Sequence, residues 1–214
     1  MKTAKIQKLI KGYLLPAFKP CDCAGRMMFY KPLRSVLRAI YFEDSGFNPA
    51  VLYAWVFVQP LYIPSEHVNL TFGHRLMNRI GGRQIESWSI GAEFDEHQIQ
   101  SLTSAIRNDA VPYLQKLVAP QDIADHLKES TGLSDNVFVR EAVACSLAKI
   151  GEYGNAKKEL EALIRSVSPE DPWHNIKPRA EELLACINER TECAGDLLVK
   201  WEHDTVEYLD LPIR

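Results

Sequence analysis

The hydrophobic pattern of this chain changes its period near residue 92. Before that point, after one short amphipathic helix, apolar and polar side chains alternate as they do in β-strands. Beyond it, apolar side chains recur at intervals of three and four residues, the period of an amphipathic helix. The sequence therefore predicts the α+β class, with an N-terminal antiparallel sheet of about five strands flanked by helices, followed by an all-helical C-terminal part. We place the two domains at residues 1–118 and 119–214.

The predicted sheet is organised around residues 52–58, which are apolar on both faces, as in a central strand. We expect Trp55, Phe57 and Phe72 to be buried there. The connections between strands are short, so neighbouring strands should run antiparallel. The expected strands are residues 26–31, 36–43, 52–58, 67–73 and 84–90, with residues 21–25 as a turn and Gly81-Gly82 as a hairpin turn.

Helices are predicted at the start of the chain, over residues 4–15, and throughout its second part. The pattern over residues 93–118 should break at Asn108-Asp109, so that Pro112 falls in the first turn of a new segment, where proline is tolerated. No linker rich in Gly, Ser or Pro separates the two domains, so they should pack together. The remaining predicted helices are residues 121–130, 137–150, 155–167, 176–188 and 192–201, and residues 203–214 are expected to be a tail.

The charge of the chain is distributed as unevenly as its hydrophobic pattern. Residues 1–92 carry 12 Lys and Arg against 5 Asp and Glu, whereas residues 93–214 carry 13 against 23. The acidic second part and the net charge of −3 argue against a protein that binds duplex nucleic acid. No apolar run approaches the roughly 18 residues that a membrane helix needs. No signal-peptide pattern follows the basic N-terminus, so a cytoplasmic location is expected.

The sequence carries no recognised catalytic, cofactor-binding or metal-binding motif. There is no nucleophile elbow and no glycine-rich phosphate loop. Cys21 and Cys23 lack the second pair of ligands that a zinc site requires. Cys145 and Cys186 lie in apolar helical patterns, where a buried and inert thiol is the usual state. We therefore predict no catalytic residue, no cofactor and no metal ligand.

Residues 138–169 resemble a single helical hairpin of the tetratricopeptide type. Arg140 replaces the tryptophan usual near the start of that repeat, and no second repeat is visible. Two interpretations stay open, a structural hairpin packed into the helical domain or part of a groove that binds a peptide. The matching positions are Ala144, Leu147, Gly151, Tyr153, Ala156, Leu160 and Pro169.

Residues 53–64 (YAWVFVQPLYIP) and 70–76 (LTFGHRL) resemble uncharacterised bacterial domains of unknown function. In these domains an N-terminal helix leads into an antiparallel sheet and then a helix, and some of them are immunity proteins encoded beside toxin genes. The resemblance covers about residues 5–118. That family has no established catalytic residues, so it assigns none to this chain.

Together these observations favour a non-catalytic bacterial binding protein, in particular an immunity protein that neutralises a toxin. Charge complementarity between an acidic helical face and a basic protein partner would speed and select their association. Two other hypotheses stay open, an adaptor whose helical hairpins hold a peptide and a small hydrolase or transferase with its site on the sheet. The residues expected to contact the partner are Glu152, Glu159, Glu161, Glu181 and Glu182.

Overall fold

A computed structural model describes residues 3–48, 50–80, 82–91, 94–131, 136–168, 170–171, 173 and 175–212. It confirms the α+β class, with an antiparallel sheet first and a helical region after it. The chain divides into two compact units. The first unit comprises Met1–Gln59, Asn69–Lys116 and Pro212–Arg214, and the second comprises Pro60–Val68 and Leu117–Leu211. Residues 60–68, which the sequence places with the sheet, thus belong to the helical unit.

The first unit contains a six-stranded sheet and a separate two-stranded hairpin. The order of the large sheet is β1-β2-β3-β4-β5, and β8 pairs with the same edge of β4 as β5 does, farther toward its start. Strands β6 and β7 form the hairpin. The strands are β1 Cys21–Ala24, β2 Met27–Tyr30, β3 Val36–Asp44, β4 Val51–Pro60, β5 Gly73–Arg75, β6 Asn78–Ile80, β7 Arg83–Ile85 and β8 Trp88–Ser89.

Strand β4 is the predicted central strand, and its burial agrees with that prediction. Phe57 is fully buried, as expected. Trp55 and Phe72, however, are only half-buried. Trp55 lies directly opposite Arg75, whose guanidinium stacks 4.6 Å from the Trp55 ring, and its indole N–H donates to Glu43. A tryptophan with polar partners of this kind can remain at the edge of a core.

The predicted strand over residues 67–73 is wrong. Side-chain hydrogen bonds replace a strand ladder there, because Asn69 Oδ1 accepts the Thr71 N–H and Gln59 Oε1 accepts the Asn69 N–H. Pairing with β4 is instead made by β5, which begins at Gly73. A Cβ atom at residue 73 would lie 2.6 Å from Phe57 Cβ and closer still to the carbonyl oxygen of Val56. Only glycine therefore fits where β5 meets β4.

Two other strand predictions need correction. Cys21–Ala24, predicted as a turn, is strand β1, and a two-residue loop at Gly25 with φ +54° joins it to β2. The last predicted strand, residues 84–90, is divided into β7 and β8. The hairpin turn at Gly81-Gly82 is confirmed by the register Ile80↔Arg83, although Gly81 itself lies outside the described residues.

Both helical stretches of the first unit contain a π-helical turn, and each π turn ends two residues before a proline. Helix α1 (Thr3–Leu9) continues through a π turn at Ile10–Leu14 and a 3₁₀ turn at Leu15–Ala17. Helix α2 (Glu96–Ala105) continues through a π turn at Ile106–Ala110 into α3 (Val111–Lys116).

The predicted helix break at Asn108-Asp109 is therefore wrong, since the helix runs on past Pro112. The N–H of Val111 bonds the carbonyl of Ile106, and that of Leu15 bonds the carbonyl of Ile10. A proline inside an α-helix removes one hydrogen bond and its ring clashes with the carbonyl four residues earlier. A wider turn ahead of Pro112 accommodates that ring without ending the helix.

The second unit consists of five helices and residues 60–68. Each helix contacts the next one along the chain, and α5 also contacts α8. Ten residues of α5 are buried. Cys145 is buried as predicted, whereas Cys186 is only half-buried. The helices are α4 Pro120–Thr131, α5 Val137–Lys149, α6 Tyr153–Ser166, α7 Ile176–Glu189 and α8 Thr191–Tyr208.

Helix α8 is longer than the sequence predicts, because the residues expected to form a tail continue it to Tyr208. Thr205 and Val206 in this extension are buried, and the Thr205 hydroxyl donates to the carbonyl of Ile63. Within the described residues, no helix combines the length and the apolar content that crossing a membrane requires.

Replacing Gly73 with alanine should destabilise the protein by about 1–3 kcal/mol, because the new methyl group must displace β5 from β4. Gly46→Ala is the matched control, since a Cβ atom at residue 46 meets nothing within 4 Å. It should change the free energy of unfolding by less than about 0.5 kcal/mol. Urea unfolding measures both, and equal effects would contradict the close approach at Gly73.

Candidate functional site

The five glutamates predicted to bind a partner lie at three places in the second unit. Glu152 is exposed in the turn before α6, and Glu181 and Glu182 are exposed on α7. Glu161 is half-buried on α6. Glu159 is only 16% exposed and lies 3.5 Å from the Arg140 guanidinium, so its carboxylate is already paired within the protein.

Helix α6 is a poor acidic face for a second reason. Its exposed positions include the cations Lys158 and Arg165. Together with the ion pair between Glu159 and Arg140, these cations leave little uncompensated negative charge on α6. Of the predicted residues, Glu181 and Glu182 are the ones exposed on a helix, and α7 also exposes Glu189, which lies 3.7 Å from Arg190.

The largest set of exposed carboxylates lies on α7 and α8, which pack against each other. On α8, Glu192, Asp196, His203 and Glu207 follow one another at intervals of four, seven and four residues, which places them on one helical face. We call the exposed carboxylates of these helices the α7–α8 acidic surface. Its members are Glu181, Glu182, Glu189, Glu192, Asp196 and Glu207.

Two apolar side chains of α8 are exposed, one on the same face as these carboxylates and one at the C-terminal end of the helix. Val199 is 60% exposed and lies between Asp196 and His203 in the stripe, and Tyr208 is 62% exposed beside Glu207. Exposed aliphatic and aromatic side chains surrounded by charge are common in protein interfaces. The i, i+4 spacing of this stripe is visible in the sequence. Its last turn was not predicted to be helical, because residues 203–214 were expected to form a tail.

Buried polar contacts hold α7 and α8 on α5. Glu141 of α5 is 5% exposed and accepts two hydrogen bonds, at 3.0 and 2.8 Å, from the Arg179 guanidinium of α7. Lys149 of α5 lies 2.8 Å from Glu202 of α8. Burial raises the pKa of the Glu141 carboxyl, and the charge of Arg179 opposes that rise.

The helical hairpin predicted from residues 138–169 is present, formed by α5 and α6 around Gly151 with φ +84°. Ala144, Ala156 and Leu160 are fully buried, whereas Tyr153 is half-buried. The last matching position, Pro169, lies outside the described residues. Helix α5 is buried along nearly all its length, so it offers no open face to a peptide. The contacts therefore favour the structural role of this hairpin.

The first unit contains a cleft of about 560 Å³ that the sequence did not predict. It lies between the β6–β7 hairpin and the helix formed by α2 and its π turn, and we call it the polar cleft. The hairpin contributes Met77, Arg79 and Gln84. The helix contributes a stripe at intervals of three and one: His97, Gln100, Ser101, Ser104, Ala105 and Asn108, followed by Asp109.

Buried polar contacts also fix the walls of this cleft. Asn78 of β6 is fully buried, accepts the Ser101 hydroxyl at 2.5 Å and donates to the carbonyl of Ser87. The Trp88 indole N–H points to the same Ser101 hydroxyl at 3.4 Å. At the far end, Asp109 in the π turn lies 3.2 Å from His74 Nε2. These contacts hold the hairpin and the helix in fixed relative positions.

The described residues contain no group of three His, Cys, Asp or Glu side chains placed to hold a metal ion. Cys21 and Cys23 are half-buried on β1, and burial raises the pKa of the Cys21 thiol to about 11. Comparisons with protein-family models, curated proteins and solved structures find no match to this chain. Function must therefore be argued from the two surfaces themselves.

Arg179→Ala should destabilise the protein by about 3 kcal/mol at neutral pH, because it leaves the Glu141 carboxylate buried without its partner. A carboxyl whose pKa is raised by folding binds a proton more tightly in the folded state. The loss of stability in Arg179→Ala should therefore be largest at pH values above the pKa of Glu141 in the folded protein. It should shrink as pH falls toward 4.5, the ordinary pKa of a glutamate side chain.

Lys177→Ala provides the control for this variant. It removes the same charge from the same helix, and Lys177 makes no ion pair with any described residue. Its effect on the free energy of unfolding should stay within about 0.5 kcal/mol at every pH. Urea unfolding at several pH values measures both variants, and a pH-independent loss in Arg179→Ala would contradict the buried charge.

Proposed function

We propose that this chain is a non-catalytic binding protein that docks a basic protein partner on its α7–α8 acidic surface. The observation that carries the proposal is the separation of charge between the two units. The second unit has 10 Lys and Arg against 20 Asp and Glu, whereas the first has 15 against 8. The two units therefore carry net charges of +7 and −10, the same separation that a single cut after residue 92 gives.

The distribution of the carboxylates supports this choice of surface. Several acidic side chains elsewhere in the second unit are neutralised by a cation, as Glu141, Glu159 and Glu202 are. The exposed carboxylates of α8 are Glu192, Asp196 and Glu207. The exposed lysine of this helix, Lys200, is paired with Asp204. A field of one sign attracts a partner of the opposite sign and raises the association rate.

Val199 and Tyr208 would supply the contact that holds the partner once it arrives. Charges at the edge of an interface mainly affect the association rate, whereas buried apolar anchors mainly affect dissociation. A partner matching this surface would present a basic patch with an apolar depression. Toxins that act on nucleic acids or nucleotides carry basic surfaces of this type, and neutralising one is the function that the resemblance to immunity domains implies.

Site-specific photocrosslinking in the native host tests the proposal. A photoreactive phenylalanine analogue would replace Val199 or Tyr208, with Lys158 and Arg165 on α6 as control positions. We expect one adduct at the two α8 positions and none at the α6 positions, joined to a basic surface of the captured protein. Expressing that protein alone should stop growth, and coexpression should restore it. Equal adducts at all four positions, or an acidic captured surface, would reject the proposal.

Reversing three charges of the α7–α8 acidic surface should slow association with the crosslinked partner at least about tenfold, because steering is lost. The variant combines Glu181→Lys, Asp196→Lys and Glu207→Lys, all at exposed positions. The control combines Asp125→Lys, Glu129→Lys and Glu170→Lys, which changes the net charge equally elsewhere in the same unit.

Stopped-flow kinetics would measure both variants, and circular dichroism would establish that each is folded. The control should reduce the association rate less than threefold, since it alters the overall charge but not the proposed contact surface. If both variants slow association equally, only net charge matters and the α7–α8 acidic surface is not the docking site.

A further inference from the structure

One arginine, Arg79, lines the polar cleft of the first unit. Arg79 lies opposite Gln84 in the β6–β7 register, so both side chains reach the cleft from the same face of the hairpin. Among the described residues, no acidic side chain pairs with Arg79. The carboxylate that lines the cleft, Asp109, is engaged by His74. A guanidinium without a carboxylate partner favours an anionic ligand.

We propose that the polar cleft binds a small phosphorylated molecule that also carries hydroxyl groups, of the size of a sugar phosphate or a mononucleotide. The two share one chemistry, a phosphate monoester on a hydroxylated ring. The proposal concerns the first unit, so it is independent of partner binding by the α7–α8 acidic surface.

Arg79 is placed to bind the phosphate group. A guanidinium can donate two parallel hydrogen bonds to phosphate oxygens, which a lysine ammonium cannot do with the same geometry. His97 lines the same cleft and can donate a further hydrogen bond. The contact between His74 Nε2 and Asp109 Oδ1, at 3.2 Å, occupies one oxygen of the only carboxylate that lines the cleft among the described residues.

The amide and hydroxyl groups of the cleft suit the hydroxylated ring. The side chains of Gln84, Ser104 and Asn108 make no hydrogen bond to any described residue, so their donors and acceptors are available to a ligand. Each of these groups can both donate and accept, as a sugar hydroxyl does. Ser101, in contrast, is held by Asn78 and Trp88, and it forms a fixed part of the wall.

The size and the apolar part of the lining agree with this ligand class. A volume of about 560 Å³ falls in the range of small-molecule sites, roughly 300–1,000 Å³. Met77 and Ala105 contribute apolar surface on opposite walls. They can contact the non-polar face of a sugar ring or of a base. Most of the lining is polar, which disfavours a lipid or a purely aromatic ligand.

The π turn at Ile106–Ala110 contributes to the shape of the cleft. It carries Asn108 and Asp109, two of the lining residues. Inserting one residue into a helical turn rotates the side chains that follow, and such turns recur at functional sites. Here the turn precedes Pro112, so the sequence itself specifies the widened turn that presents Asn108 and Asp109 to the cleft.

Isothermal titration calorimetry of the full chain tests the proposal with ribose 5-phosphate, AMP, ribose and inorganic phosphate as probes. We expect saturable one-to-one binding of ribose 5-phosphate or AMP, weaker binding of phosphate and no detectable binding of ribose. Tighter binding of AMP would identify a nucleotide as the ligand, and equal binding would identify a sugar phosphate. No saturable binding of any probe up to about 10 mM, the weak limit for a specific small-ligand site, would overturn the proposal.

Two arginines of the same hairpin provide a matched pair of variants. Arg79→Gln should weaken binding at least about tenfold, the loss expected when a charge-assisted hydrogen bond to phosphate is removed. Arg83→Gln should leave binding unchanged, because Arg83 is exposed on the hairpin but does not line the cleft. Equal losses in both variants, or binding of ribose as tight as that of ribose 5-phosphate, would overturn the proposal.

A third variant tests the location without removing a polar contact to phosphate. Ser104→Trp places a bulky side chain in the cleft from an exposed position on α2. It should abolish binding of ribose 5-phosphate while leaving the thermal unfolding temperature unchanged. Retained binding in this variant would place the ligand elsewhere and overturn the assignment.

Discussion

The arrangement of the second unit depends on the buried polar side chains of helix α5. Almost every residue of this helix is buried, so each of its polar groups needs a partner inside the protein. Glu141 accepts hydrogen bonds from Arg179 of α7, Lys149 lies 2.8 Å from Glu202 of α8, and Ser146 accepts the hydroxyl of Tyr62 while donating to the carbonyl of Ala142. An unsatisfied buried group is costly, so these contacts specify the positions of α7, α8 and residues 60–68 around α5.

This arrangement determines which charged side chains of the second unit remain exposed. Carboxylates that face α5 or its neighbours are neutralised by Arg and Lys, whereas those on the far faces of α7 and α8 stay exposed. The α7–α8 acidic surface therefore lies on helices that α5 positions. The first unit follows a similar rule on a smaller scale, since buried Asn78 and Ser101 connect the hairpin to α2 and leave the polar cleft between them.

The features that the sequence could predict are those that depend on periodicity. The central strand β4, the hairpin turn at Gly82 and most of the helices follow from repeating patterns of apolar residues. The errors occur where a single contact overrides the pattern. Residues 67–72 of the predicted strand form no strand because the Asn69 side chain bonds the Thr71 N–H, and Pro112 follows a widened helical turn instead of starting a helix.

The two surfaces on which the proposals rest could be predicted from the sequence to different degrees, for the same reason. Net charge is a property of composition, so an acidic helical surface could be expected, and Glu181 and Glu182 belong to it. Which carboxylates are neutralised depends on contacts between distant residues, such as Glu159 with Arg140, which one sequence does not reveal. The polar cleft brings together residues of α2 and of a hairpin that lies before it in the chain. None of these lining residues belongs to a sequence motif, so the sequence alone did not predict the polar cleft.

The central claim is that electrostatic attraction to the α7–α8 acidic surface brings the partner to this protein. The most direct test is the association rate constant of the wild-type proteins, measured by stopped-flow fluorescence over a range of salt concentrations. A steered encounter should slow steeply as ionic strength rises from about 0.01 to about 0.5 M, because the screening length falls across that range. The dissociation rate should change much less. An association rate constant that is independent of salt would contradict the account.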